Sequence, residues 1–231
     1  MIVAVTGGKG GVGKSTVALN LAAELDAVVV DGDLSTADLP RGSGPDLHDV
    51  LAGRIDPLDA VEEFWNVQLL PSGRTLQGAR AVDLQAFETV VTRLTRRFGP
   101  VIVDCPAGLA QDVGVEIASA DVAVLVTNAS EAALSNAERT RDLAVTLDTA
   151  VAAVVLNETG HSTYDRIRSD VRRRFNAPVT YVPKRTDIRA AGEDWVPVRD
   201  ASPESPACER FEELGDRLRA CRRRVHRRGV H

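Results

Sequence analysis

The chain has 231 residues, 44% hydrophobic and 26% charged, with a formal net charge of −5. That is enough apolar material for a sizeable core, and no apolar run approaches the ~18 residues of a membrane-spanning helix. Cys105, Cys208 and Cys221 form an odd, sparse set without a C-x-x-C pair, which argues against a disulfide framework or a zinc site and for a cytoplasmic protein. From the N-terminus, Val-rich runs predict strands at 2–6, 27–31, 67–70, 100–104, 121–127, 151–156 and 178–182. Helical patterns fall between them at 14–25, 83–97, 111–119, 130–147 and 161–175. The strands are nearly continuous in hydrophobicity, as strands buried on both faces are. This rhythm predicts an α/β fold: one doubly wound, mostly parallel sheet flanked by helices, forming a single domain over 1–231. The proline-rich stretch from Asp194 to Pro206 reads as a surface loop before a last, basic helix at about 204–228.

Between the first strand and the first helix stands Gly8-Lys9-Gly10-Gly11-Val12-Gly13-Lys14-Ser15-Thr16. Gly8, Gly13, Lys14 and Ser15 satisfy G-x-x-x-x-G-K-[ST] in the strand–loop–helix context that this phosphate-binding pattern requires. Glycines let the backbone turn tightly enough for its N–H groups to surround phosphates, and the helix N-terminus adds partial positive charge. Lys14 is expected to reach the β- and γ-phosphates and the Ser15 hydroxyl to hold Mg²⁺. Only three of the 28 basic residues are lysines, and two are Lys9 and Lys14. Retaining a compact ammonium in an arginine-rich chain supports a working loop. The loop begins so close to Met1 that no secretory leader is expected.

Ligands of open α/β sheets bind beyond the carboxyl ends of the strands. There, Val28-Val29-Val30 runs into Asp31-Gly32-Asp33, and Val101-Ile102-Val103 into Asp104-Cys105-Pro106-Ala107-Gly108. Asp104, an acid closing a hydrophobic strand, is the expected second Mg²⁺ group. Cys105 reads as a small packing residue. Val154-Val155-Leu156 ends in Asn157, whose amide can read adenine by a paired donor and acceptor. Guanine would want an acid shortly afterwards, and Asn157-Glu158-Thr159-Gly160 lacks the usual arrangement, so ATP is favoured over GTP.

With Lys9 inside the loop, and with Asp31-Gly32-Asp33 and Asp104-Cys105-Pro106-Ala107-Gly108 downstream, the chain resembles the MinD/ParA family of deviant Walker A ATPases, in particular its MinD branch. The resemblance runs on through Tyr181-Val182-Pro183-Lys184 and Val196-Pro197-Val198 and so covers nearly the whole chain. It implies a P-loop ATPase that binds ATP and Mg²⁺ and forms an ATP-dependent homodimer, with Lys9 reaching the partner's nucleotide. It further implies that Asp33 positions the attacking water and that Asp31 supports the Mg²⁺ shell. Residues 32–40 would form one γ-phosphate switch, where Ser35 departs from the family's usual glycine. Gly108 would offer its backbone N–H as a second switch, and Asn157 and Pro183 would contact the base. Such proteins position cell-division or chromosome-partitioning machinery, and hydrolysis, stimulated by a protein partner, resets them. A ParA-type DNA-partition ATPase, an ATP-dependent ligase and an iron–sulfur carrier are the alternatives on this scaffold; the missing C-x-x-C counts against the last.

Charge divides along the chain: residues 1–160 hold 11 basic and 22 acidic side chains, residues 161–231 hold 17 and 11. Phe211, Leu214, Leu218, Cys221 and Val225 recur at helical spacing, beside seven arginines within 217–228. MinD proteins end in a membrane-inserting amphipathic helix; this tail has the charge without the aromatic bulk. A core-packed helix with a solvated basic end, peripheral contact with the anionic inner face of the cell membrane, and binding to DNA or a protein partner remain open readings, DNA less favoured than membrane.

Overall fold

The computed structural model describes residues 1–34, 39–40, 42–73, 83–109 and 111–228, with side chains as far as 223. Eight strands form one sheet: β1 (Ile2–Thr6), β2 (Val28–Asp31), β3 (Glu62–Phe64), β4 (Val67–Leu70), β5 (Val101–Asp104), β6 (Val122–Thr127), β7 (Ala150–Leu156) and β8 (Val179–Tyr181). Their order across the sheet is β3-β4-β2-β5-β1-β6-β7-β8, and every pairing is parallel except β3 with β4. The seven predicted strands are all present. The central ones are buried at every position, which explains their unbroken Val, Ile, Leu and Ala sequence.

The helices are α1 (Lys14–Leu25), α2 (Leu47–Leu51), α3 (Phe87–Phe98), α4 (Gln111–Ala118), α5 (Glu131–Thr146), α6 (His161–Phe175), α7 (Thr186–Glu193), α8 (Val198–Ala201) and α9 (Pro206–Arg228). They cover both faces. Leu19, Leu21 and Val17 of α1 pack with Phe211, Leu214 and Leu218 of α9 on one face, while Leu47, Phe87, Leu94 and Ile117 cover β5 and β1 on the other. Among the described residues no helix is long and apolar enough to cross a membrane.

Two features depart from the sequence expectation. The edge strand β3 was not anticipated, because Glu62-Glu63-Phe64 has no apolar run. Its Glu62 carboxylate instead accepts bonds from the N–H groups of Gly44 (2.6 Å) and Ser43 (3.2 Å), anchoring a loop. The 194–206 segment is not simply a surface loop: Pro197 and Val198 are buried and α8 forms within it. Its hold is Asn20, whose Oδ1 accepts from Val198 N at 2.8 Å while its Nδ2 donates to Thr16 O at 2.8 Å. The apolar stripe of the last helix, by contrast, follows one of the readings left open, the core-packed helix. Phe211, Leu214 and Leu218 are buried, Cys221 is half-buried, and Arg219 donates to the carbonyl of Glu24 at the end of α1. The side chain of Val225 lies outside the described residues.

Candidate nucleotide site

β1 lies between β5 and β6, so the loop leaving it at Gly7 emerges at the middle of the sheet. Residues 7–13 wrap over the strand end and feed into α1 at Lys14. Gly13 holds φ of 89°, a left-handed conformation that opens the helix with free N–H groups. Gly8 is required by proximity: a Cβ there would lie 2.3 Å from the Asn136 carbonyl of α5. Lys14 is buried inside this loop, whereas Lys9 and Gly10 stand exposed at its lip. Ser15 and Thr16 at the start of α1 are half-buried, below the open side of the loop.

Asn157, at the end of β7, is buried, and its Nδ2 donates to the carbonyl of Val12 at 2.8 Å. A Cβ on Gly13 would come within 2.1 Å of that nitrogen. The residue expected to read a base therefore also braces the phosphate loop. Val182 N donates to Leu156 O at 3.0 Å and Thr159 N to Val182 O at 3.1 Å, which joins the loops after β7 and β8. A cavity of about 550 Å³ opens beside the glycine loop. Gly11, Gly13, Thr16, Asn157 and Pro183 line one side; Ile188 of α7 and Trp195 close the other. This is the size of a small-ligand pocket. Sequence reasoning found Asn157 and Pro183 but not α7 or Trp195; the short helix lies between the last predicted strand and the Asp194–Pro206 stretch, where no element was predicted.

The acids converge at the neighbouring strand ends. Asp31 and Asp104 are register partners on β2 and β5, and Val5 of β1 pairs with Asp104. Asp31 is fully buried; its Oδ1 accepts from Asp33 N at 3.2 Å and its Oδ2 from Leu39 N at 3.3 Å. Burial, and then the facing Asp104, push its carboxyl up to about 8. Asp33 is half-buried, and its carbonyl accepts from Ser72 Oγ at 2.6 Å. His48 Nε2 lies 3.0 Å from the Leu34 carbonyl. These contacts hold the first part of the expected switch; its residues 35–38, Ser35 among them, lie outside the described residues. Gly108, at φ of 100°, follows Asp104 across the Cys105-Pro106-Ala107 turn, with exposed Leu109 beside it.

A third acid was missed by sequence reasoning. Glu116 of α4 is buried near the Cys105 thiol and the carboxyls of Asp31 and Asp104. Burial pushes its carboxyl well above the usual range. Its spacing from Val113 and Ile117 puts it on the buried face of α4, a periodic signal that sequence reasoning did not use. Cys105 is buried, as a packing residue should be. Among the described residues no group of His, Cys, Asp and Glu forms a metal cluster of three or more. The fit of a Mg²⁺-bound phosphate chain rests instead on two observations. The left-handed glycines and buried Lys14 make a cationic cradle, and the paired, buried Asp31 and Asp104 carboxyls are held in a place where a dication would offset their repulsion.

Comparison with known proteins agrees with this geometry. The family described as the CobQ/CobB/MinD/ParA nucleotide binding domain matches residues 3–198. An uncharacterized ATP-binding protein of Methanocaldococcus jannaschii is 30% identical over 226 residues, covering 93% of this chain and 86% of that one. The septum site-determining protein MinD of Thermotoga maritima is 25% identical, covering 94% and 88%. Among solved structures, the cell division ATPase MinD of Pyrococcus furiosus superposes with a TM-score of 0.87 at 29% identity, covering 95% of this chain and 98% of that one. MinD of Pyrococcus horikoshii, solved in complex with Mg-ADP, gives 0.85 at 28% identity, covering 94% and 95%. The glycine cradle, the paired strand-end acids and these matches together make the chain a member of the MinD/ParA nucleotide-binding domain family.

Proposed function

We propose that the chain is a MinD-like ATPase: a molecular switch that dimerises with ATP and is reset by hydrolysis to ADP and phosphate. The observation that carries this reading is the division between its two loop lysines, Lys14 buried in the cradle and Lys9 exposed at its lip. An ammonium in Lys14's place neutralises phosphates of its own nucleotide. One at Lys9 has no such reach inward and stands where a second copy's phosphates would approach. Mg²⁺, held through Ser15 with Asp104 and Asp31 behind it, would supply a second positive charge at the β- and γ-phosphates. The backbone N–H groups of residues 10–16 orient the chain of phosphates, Asp33 orients the attacking water, and Gly108 N–H meets the γ-phosphate. Asn157 and Pro183 border the adenine. Phosphoryl transfer needs this positioning and charge more than covalent help.

The relatives named septum site-determining proteins support a role in placing division machinery. To this reading belong an activating protein partner and a cytoplasmic location, peripheral at the inner membrane face. The basic tail supplies the charge for that surface. The test is light scattering with size exclusion. Asp33→Ala, which should bind ATP without turning it over, runs as a dimer in ATP and a monomer in ADP. Lys9→Ala stays monomeric in both while retaining ATP. A Lys9→Ala protein that dimerises and hydrolyses normally removes the trans role.

A further inference from the structure

At the end of β8 remote from the nucleotide cavity, a second cavity of about 430 Å³ opens between α6 and α9, beside Pro178 and Val179. Three arginines line it: Arg168 and Arg172, one helical turn apart on α6, and Arg217 from α9. Ser169 and Tyr164 complete its wall. Tyr164 is fixed there, its hydroxyl donating to Val179 O at 3.0 Å and its ring 4.5 Å from that of Tyr181.

The arrangement is electrostatically costly as it stands. Like charges at i and i+4 repel, and Arg217 brings a third across from the other helix. Among the described residues none of the three has an ion-pair partner, and no acid lines the cavity. The acids of these two helices that lie closest in sequence serve other cations. Asp165 pairs with His161, Asp170 with Arg173 and Arg174, and Asp216 with Arg219. The C-terminal end of the α6 dipole favours Arg172 but does nothing for Arg217. Three arginines and a serine line this one cavity, and guanidinium forks recognise a multiply charged phosphate by paired, charge-assisted hydrogen bonds.

We propose that this cavity binds a phosphate group, as a phosphomonoester or polyphosphate, through Arg168, Arg172 and Arg217, at a site separate from the glycine loop. The phosphate is carried either by a soluble compound or by a phospholipid head group.

Inorganic tripolyphosphate, titrated by calorimetry, is the probe. It also enters the glycine loop, so the titration is made on Lys14→Ala protein and, in parallel, on wild-type protein saturated with Mg-ADP. One equivalent still binds in each. Adding Arg172→Gln or Arg217→Gln weakens that binding by about tenfold or more, and Arg172→Lys restores part of it, since it keeps the charge but loses the fork. Circular dichroism melting confirms that each variant is folded. No binding in either background, or isotherms unchanged by the substitutions, overturns the proposal. Phosphatidylcholine vesicles carrying phosphatidic acid separate the two sources. Pelleting that Arg217→Gln abolishes assigns the site to a lipid head group, and tripolyphosphate binding without such pelleting assigns it to a soluble phosphate. Duplex DNA bound through these arginines, with neither phosphate probe bound, overturns the assignment in favour of nucleic acid.

Discussion

Asn157 donates its side-chain amide to the carbonyl of Val12, a bond that spans 145 positions of sequence and joins the end of β7 to the phosphate loop. It makes one residue answer to two structures, the cradle and the cavity beside it. Asn157→Ala leaves a buried acceptor unpaired, which costs about 1–3 kcal/mol. Because the loop itself is braced, the loss falls on every phosphate ligand: ATP, GTP and inorganic tripolyphosphate weaken together in titration calorimetry. A loss confined to ATP would instead make Asn157 a base reader alone.

Gly13→Ala is expected to be more damaging than an ordinary helix-start substitution. The residue has a positive φ, and the new methyl group would strike Asn157 Nδ2. Stability in urea falls by about 1–3 kcal/mol. Combining it with Asn157→Ala removes the collision but not the backbone strain, so the double variant loses less than the sum of the two.

The buried acids make the nucleotide-free protein pH-sensitive. Asp31 ionises at about 8 in the folded chain, against 3.8 ordinarily. As pH rises between those values the unfolded state releases its proton and the folded state keeps it, so stability is greatest at the acid end and declines towards pH 8. Glu116 adds to the same slope, because burial raises its carboxyl too. Asp31→Asn therefore flattens a plot of melting temperature against pH without levelling it. Added Mg²⁺ and ADP, which favour the ionised carboxyl, reduce the slope in the parent protein.

Glu116 and Gly32 fill one another's space: a Cβ on Gly32 would lie 2.6 Å from Glu116 Oε1. Gly32→Ala thus overpacks the start of the switch, at a cost of about 1–3 kcal/mol. Glu116→Ala supplies the missing room, and a double-variant cycle by chemical denaturation should show the pair coupled in that direction. Additive effects would mean that the switch relieves the clash by moving its backbone.

On the last helix, Leu218→Ala should cost about 2–5 kcal/mol, since its side chain is buried against α1. Arg222→Ala, exposed one turn later, should stay within about 0.5 kcal/mol. Thermal melts of the two variants check the boundary between core and surface on one helix.

The sheet was legible because its strands are buried on both faces, and a run such as Val122–Thr127 admits no other reading. β3 was not, because a three-residue edge strand needs neither apolar face. The glycine loop, Asp31, Asp104 and Asn157 were legible as strand-end residues of the right chemical type. What sequence could not convey was who meets whom. The Val12 partner of Asn157 and the Asn20 link to Val198 are long-range contacts that no local pattern announces. The tail stripe was visible as a stripe, and only the packing of α1 shows which surface it faces.

Asn20 bonds to Thr16 at one end of its amide and to Val198 at the other. The helix that follows the glycine loop is thus flanked by segments made long after it: the Val198 segment, then Phe211, Leu214 and Leu218. During translation α1 emerges with its outward apolar flank bare, and it stays so until α9 leaves the ribosome. Nascent chains stalled before residue 198 should therefore hold an incompletely supported loop, and competence for nucleotide should arrive only once Leu218 has emerged.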